Sequence, residues 1–137
     1  MSKLTPTLDQ LKQENQKRLA PFQAKFPQLF SKLEWLQTEE GWDKLIEYMC
    51  IIIKDYVEYK IPEELRDQIY FVQIKQKFGL LRVYVSQQIP YIDGVIDMAE
   101  VMSGSLCEKC GQTGAIRNIG NWLTTLCDKH YQEANGK

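Results

Sequence analysis

The spacing of hydrophobic positions changes along this chain, and each change marks a predicted element. Over residues 8–36 it predicts one or two helices. Leu8, Leu11 and Leu19 form a weak apolar face that Asn15 interrupts, and Pro21 and Pro27 kink or shorten the stretch between them. Phe22, Phe26, Leu29, Phe30, Leu33 and Leu36 then recur at helical spacing. The clearest helix follows, with Trp42, Leu45, Ile46, Met49, Ile53, Tyr56 and Val57 at a period of about 3.6. Thr38 is its predicted N-cap, and Glu39 and Glu40 suit the positive end of a helix. Lys60-Ile61-Pro62 ends it, and Pro62-Glu63-Glu64-Leu65 opens a short further turn.

The period then drops to two. Phe71, Gln73, Lys75 and Lys77 alternate with Val72, Ile74 and Gln76. After Phe78-Gly79, the set Leu81, Val83 and Val85 alternates with Arg82 and Tyr84. This predicts a β-hairpin over residues 70–86, with Gly79 near its turn. With Val72 and Ile74 inward, Lys75, Lys77, Arg82 and Tyr84 share the outer face. Pro90 starts another helix, with Ile92, Val95, Ile96, Ala99 and Met102 as its predicted buried stripe and Ser103-Gly104-Ser105 as its close.

The last quarter carries the chemistry. Cys107-Glu108-Lys109-Cys110 is followed, after sixteen residues, by Cys127-Asp128-Lys129-His130. Three of the four cysteines and the only histidine fall in this set. Zinc takes sulfur and nitrogen ligands in a tetrahedron, and a closed set of four marks a structural site. The spacing therefore predicts one structural Zn2+ per chain, held by Cys107, Cys110, Cys127 and His130. Gly111 permits a left-handed turn that aims backbone amides at the sulfurs. Ala115-Ile116-Arg117 and Trp122–Leu126 read as strands about a turn at Asn118–Asn121. Cys127 and His130 then share one face of a helix beginning there. Knuckle, hairpin and helix in this order resemble a treble-clef zinc finger, in which metal binding supplies much of the folding free energy. Trp122 is expected over the sulfurs or against the preceding domain. A redox Cys-x-x-Cys usually opens a helix in a βαβ context, and that context is missing. His-Asn-His nucleases share the treble-clef shape but need further histidines, and this chain has only one.

Two segments together resemble a known family. Val72-Gln-Ile-Lys75-Gln-Lys77-Phe78-Gly79-Leu80-Leu81-Arg82-Val83-Tyr84 and Cys107-Glu-Lys-Cys110-Gly111…Trp122-Leu-Thr-Thr125-Leu126-Cys127-Asp128-Lys-His130 are similar to the core and tail motifs of small bacterial and bacteriophage proteins of uncharacterised function. The resemblance covers the C-terminal half and implies a bacterial or phage origin and a cytosolic setting. It brings no activity with it.

Composition narrows the function classes. With 137 residues, 44% of them hydrophobic, the chain can bury a core. The expected architecture is α+β, with N-terminal helices, a central β-hairpin packed on helices and a treble-clef-like module. Residues 1–106 are expected to form the main domain and 107–137 the zinc-binding module. A net charge of −1 gives no global pull toward nucleic acid or anionic lipid. Met1–Pro6 lacks the apolar run of a secretory leader. The apolar run Tyr48–Ile53 is too short to span a bilayer. Metal-type cysteine spacing fits a reducing compartment, so the expected setting is cytoplasmic, without a membrane partner. Cys50 reads as a small buried hydrophobe, and the neighbouring pair Glu63-Glu64 lacks specificity for acid–base work.

The leading expectation is a non-enzymatic protein-binding protein, and its sharper form is a phage-type inhibitor of a host defence system. The surfaces singled out are the aromatic segment Phe22–Trp42 and the hairpin's outer face. The alternative is a nucleic-acid binder using Lys75, Lys77, Arg82 and Arg117 beside Tyr84, because Gln68–Ile92 contains no acidic residue. Lysines on an exposed strand also discourage aggregation and need no ligand for that. An enzyme is the third reading and requires a cleft of perturbed acids or bases.

Overall fold

The structure, a computed structural model, describes residues 7–136. Met1–Pro6, read above for a leader, and Lys137 lie outside the described residues.

The N-terminal segment forms one helix, α1 (Leu8–Lys25). Thr7 caps it reciprocally: its hydroxyl accepts from the Gln10 amide at 3.1 Å, and the Gln10 side chain accepts from the Thr7 amide at 2.8 Å. Pro21 lies inside the helix, which stops at Phe26. The residue before a proline is pushed out of helical geometry, and Pro27 does this to Phe26. No second helix follows, because residues 27–35 are turns, bends and irregular chain. Phe26, Leu29, Phe30, Leu33 and Leu36 are nevertheless all buried. Their helical spacing reports a loop laid across the core. Leu8 and Leu11, expected on a helix face, are exposed.

Asn15, which interrupts that face, has a structural use. Its amide donates to the Leu36 carbonyl at 2.8 Å and its oxygen accepts from the Leu36 amide at 3.0 Å. These bonds saturate the outer edge of β1 (Leu36–Gln37), a two-residue strand that pairs parallel with β2 (Phe71–Lys77). Strand β2 pairs antiparallel with β3 (Leu80–Val85), so the sheet order is β1-β2-β3. The hairpin is the one expected, turning on Phe78 and Gly79 at φ 56° and 85°. A bulge between Phe71 and Gln73 changes the inward set. Phe71 and Ile74 are buried and Val72 is exposed, contrary to the simple alternation.

Helix α2 (Asp43–Lys60) begins later than expected. A short 3-10 turn (Glu40–Trp42) precedes it, so Thr38 does not serve as its N-cap. Thr38 is buried instead, and its carbonyl accepts from Arg18. Arg18 also pairs with Asp43 at 2.7 Å, which ties α1 to the start of α2. Helix α2 buries Leu45, Ile46, Met49, Cys50, Ile53 and Val57.

Helix α3 (Pro90–Ser103) covers the open edge of β3. Ser103 Oγ accepts from the Leu81 amide at 2.9 Å, and Glu100 Oε2 accepts from the Val83 amide at 3.1 Å. Ile92, Ile96 and Ala99 are buried as expected, whereas Met102 is exposed, about a quarter-turn round the helix from the buried stripe. Phe30 links α1 to the inner sheet face, its ring 5.3 Å from Phe22 and 5.2 Å from Phe71, within one buried cluster that also takes in residues of α2 and α3. The chain closes with β4 (Ala115–Ile119), β5 (Trp122–Leu126) and α4 (Asp128–Gly136). The architecture is α+β with a Cys/His cluster near the chain end. No helix among the described residues is long and apolar enough to cross a membrane.

Candidate metal centre

Two short segments bring the four ligands together. The first is the turn after α3. Its geometry is set by the Cys107 amide donating to the Gln112 carbonyl and the Gly111 amide donating to the Cys107 carbonyl, both at 2.7 Å. Gly111 has φ +80°, the left-handed conformation its position predicts. The second segment is the start of α4. Cys127 stands just before the helix, where its carbonyl accepts from the Tyr131 amide at 2.8 Å and its sulfur faces the His130 amide at 3.5 Å.

The four candidate ligand atoms lie within 4.8 Å of one another. His130 Nδ1 is 3.2 Å from Cys127 Sγ and 3.6 Å from Cys107 Sγ. Cys110 and Cys127 sulfurs are 3.8 Å apart, and all the cysteines are free thiols. Three soft sulfurs and one imidazole nitrogen, converging without a disulfide, can hold a metal ion. Burial pushes the Cys107 thiol up, but the amides of Cys127, Cys110 and Lys109 together outweigh it and bring the thiol down to about 6. The Gln112 amide favours the Cys110 thiolate, yet desolvation and the Cys107 and Cys127 sulfurs hold that thiol above its ordinary value. Negative sulfurs oppose one another here, and a cation among them removes the conflict.

Glu108, between the first two ligands, fixes the cluster to the rest of the chain. It is buried, and its carboxylate accepts from the Glu39 amide and from the Thr124 hydroxyl, both at 3.2 Å. Its backbone accepts from the Gly41 amide at 2.6 Å and donates to the Thr125 carbonyl at 2.9 Å. Burial, then the charge of Glu39, holds its carboxyl above the usual carboxylate range, against the pull of those donors. Gly41 is the other half of the joint. A Cβ there would stand 2.3 Å from the carbonyl oxygens of Cys107 and Glu108. Trp42 Nε1 donates to the Leu106 carbonyl at 2.8 Å, and Lys109 pairs with Glu39 at 3.1 Å. The hairpin tip docks too: Thr125 Oγ1 donates to the Gly79 carbonyl at 2.6 Å and Gln76 donates to the Leu123 carbonyl at 3.1 Å. The motif reading missed Glu108 and Gly41, because a ligand pattern leaves the residues between ligands unspecified.

The structure gathers only some of the other candidate residues. Lys75 stands opposite Arg82 and Gln73 opposite Tyr84, so Lys75, Lys77, Arg82 and Tyr84 do share one sheet face. Arg82, however, pairs with Glu100 at 3.3 Å. Arg117 pairs with Asp128 at 2.7 Å and stacks 4.5 Å over the Tyr131 ring, pinning α4 to β4. The β4 residue that meets the hairpin tip is Ile116, so Arg117 belongs to the opposite face. Trp122, expected to be covered, is 64% exposed and pairs with Ile119 at the hairpin end. The segment Phe22–Trp42, expected to offer aromatics to a partner, turns most of them inward and leaves Trp35 exposed. Cys50 is fully buried and its thiol is pushed well up by burial, as expected of a small hydrophobe. In comparisons with known proteins, no family model, no curated protein and no solved structure matches this chain.

Proposed function

We propose that the metal is zinc, that its role is structural, and that the protein acts by binding another protein rather than by catalysis. Four protein ligands complete a tetrahedron and leave no position for substrate. Zinc–sulfur bonds of about 2.3 Å place tetrahedral sulfurs about 3.8 Å apart, and Cys110 and Cys127 have that separation. The observation that carries the protein-binding reading is the division of the surface. Arg82 and Arg117 are engaged within the chain, while Trp35, Tyr59, Phe78 and Trp122 stand exposed. Exposed aromatic side chains are typical anchors of protein interfaces. A phage-type inhibitor of a host defence system, acting in the cytoplasm, is the sharper form of this reading and rests on the motif resemblance.

Metal analysis of the purified chain, joined to a pull-down with and without nuclease, tests the reading. One zinc per chain and a stoichiometric protein partner that survives nuclease are expected. A folded C-terminal module without zinc overturns the metal assignment. Recovery that vanishes with nuclease favours the second reading, a nucleic-acid surface. That reading draws on Lys75, Lys77 and Tyr84, which share one face of the sheet. Its own test is Lys75→Glu with Lys77→Glu: a single-stranded oligonucleotide bound there should be lost, and wild-type affinity should fall steeply with salt.

A further inference from the structure

A surface helix ordinarily buries its apolar side and turns charged and polar residues outward. Helix α3 is covered on one side only. Its inner stripe of Ile92, Ile96, Ala99 and Ser103 is buried. Its outer side presents Tyr91, Met98, Val101 and Met102, with Val101 73% and Met98 62% exposed. Gly94 stands amid that outer side, and a Cβ there would meet nothing within 4 Å. Glycine weakens a helix interior relative to alanine, and no contact among the described residues requires the gap.

We infer that the outer face of α3 docks the basic, apolar face of a helix from a partner protein, with Gly94 as the point of closest approach. The charge pattern selects that occupant. Residues Pro90–Ser103 carry Asp93, Asp97 and Glu100 and no lysine or arginine. Glu100 is engaged by Arg82 and the Val83 amide. Asp93 and Asp97 flank Gly94 in sequence and take part in no ion pair among the described residues. A second copy docked through the same face would set acid against acid, whereas lysines or arginines beside an apolar stripe complement both features. Tyr91 is held ready as a wall, because its ring stacks on Tyr56 of α2 at 4.4 Å and 9°. Met98 and Met102 supply adaptable contact area. The bare Gly94 lets a partner backbone come closer than a side chain would allow.

The inference rests on the protein-binding reading, and its test separates the two. The zinc-loaded full chain is titrated by fluorescence anisotropy with three probes: a helix-forming peptide with a leucine face flanked by lysine and arginine, the same peptide with glutamate in their place, and a single-stranded oligonucleotide. The basic peptide should bind and the acidic one should not. Gly94→Leu and Asp97→Lys should each weaken the basic peptide by about tenfold or more, since steric block and like charge both oppose docking. Gly94→Leu should melt no lower than wild type, because leucine is the better helix former, so its loss of binding cannot be misfolding. Equal binding of both peptides, no binding of either, or indifference to both variants overturns the inference. Peptide binding that ignores the variants leaves the protein-binding reading standing with another surface. Binding of the oligonucleotide alone overturns both. A dimer in sedimentation that Asp97→Lys disrupts also overturns it, in favour of a second copy.

Discussion

The body before α3 ends and the module after it are held together by different physics. The body buries an apolar cluster running from Leu19 to Ala99, with Trp42, Ile46, Phe71 and Ile74 fully inside. The module from Cys107 onward buries a metal ligand, a carboxylate, two threonines and Leu126, while Ile116 and Trp122 stay exposed. A segment of that size cannot bury enough apolar surface to fold alone, and such segments ordinarily need a staple. Cys107, Cys110, Cys127 and His130 would supply one from inside by holding a metal, and the bonds of Glu108 to Glu39 and Gly41, with that of Trp42 to Leu106, form a polar seam to the body.

Removing the metal should separate the two regions most strongly. Metal binding in small zinc modules is worth about 10–16 kcal/mol of apparent folding free energy. Chelation, or Cys107→Ser, should therefore abolish ordered structure in the module. Hydrogen exchange should show amides of β4, β5 and α4 losing protection while those of α2 keep it. Equal loss in both regions would mean that the body, too, depends on the metal.

The converse variant attacks the body. Ile46→Ala opens a cavity at a fully buried site, and such substitutions cost about 2–5 kcal/mol. Denaturant unfolding of the body should shift by that amount, with metal content still one per chain. Gly41→Ala tests the seam between the regions. Its Cβ would overlap two backbone carbonyls that a flexible side chain cannot move aside. A loss of about 2–3 kcal/mol, at the upper end of ordinary single substitutions, is expected, together with weaker metal binding. A neutral Gly41→Ala would show that the seam does not couple the regions.

These tests depend on residues that differ in how far the sequence revealed them. The clustering of Cys107, Cys110, Cys127 and His130 was legible because residue types able to hold a metal recur there at a fixed spacing. The hairpin was legible through alternation, but the bulge that turns Val72 outward leaves no trace in a periodic pattern. Strand β1 was not legible, since two residues carry no period and its edge is held by Asn15 from a distant helix. The spacing of Phe26, Leu29, Phe30 and Leu33 truthfully marked burial but misreported helix, because Pro27 ends α1 and the loop beyond it follows the core. Glu108 and Gly41 were invisible for a further reason. Their importance lies in a contact between segments more than sixty residues apart, and local sequence does not encode which distant carbonyl a glycine will meet.

The smallest expected effect is one of acid response, and it distinguishes the two regions by sign. Protons compete with metal for thiolates, so the module should lose stability as pH falls. Asp43 in the body behaves oppositely. Burial raises its carboxyl above the ordinary 3.8, more than the Arg18 hydrogen bond and charge lower it. The folded body therefore binds this proton more readily than the unfolded chain does. The resulting stabilisation is fully present below about 3.8, the unfolded value, and is lost as pH rises through the higher folded value. The stability of wild type relative to Asp43→Asn should therefore fall as pH rises just above 3.8. The carboxylate is a third exposed and its partner Arg18 also partly so, so solvent screening keeps the difference below about 1 kcal/mol. Melting temperatures of wild type and Asp43→Asn across that window, with metal kept saturating, measure it. If wild type instead gains stability relative to the variant as pH rises there, the Arg18 pair outweighs burial, and α1 is held to α2 by an ion pair the body depends on.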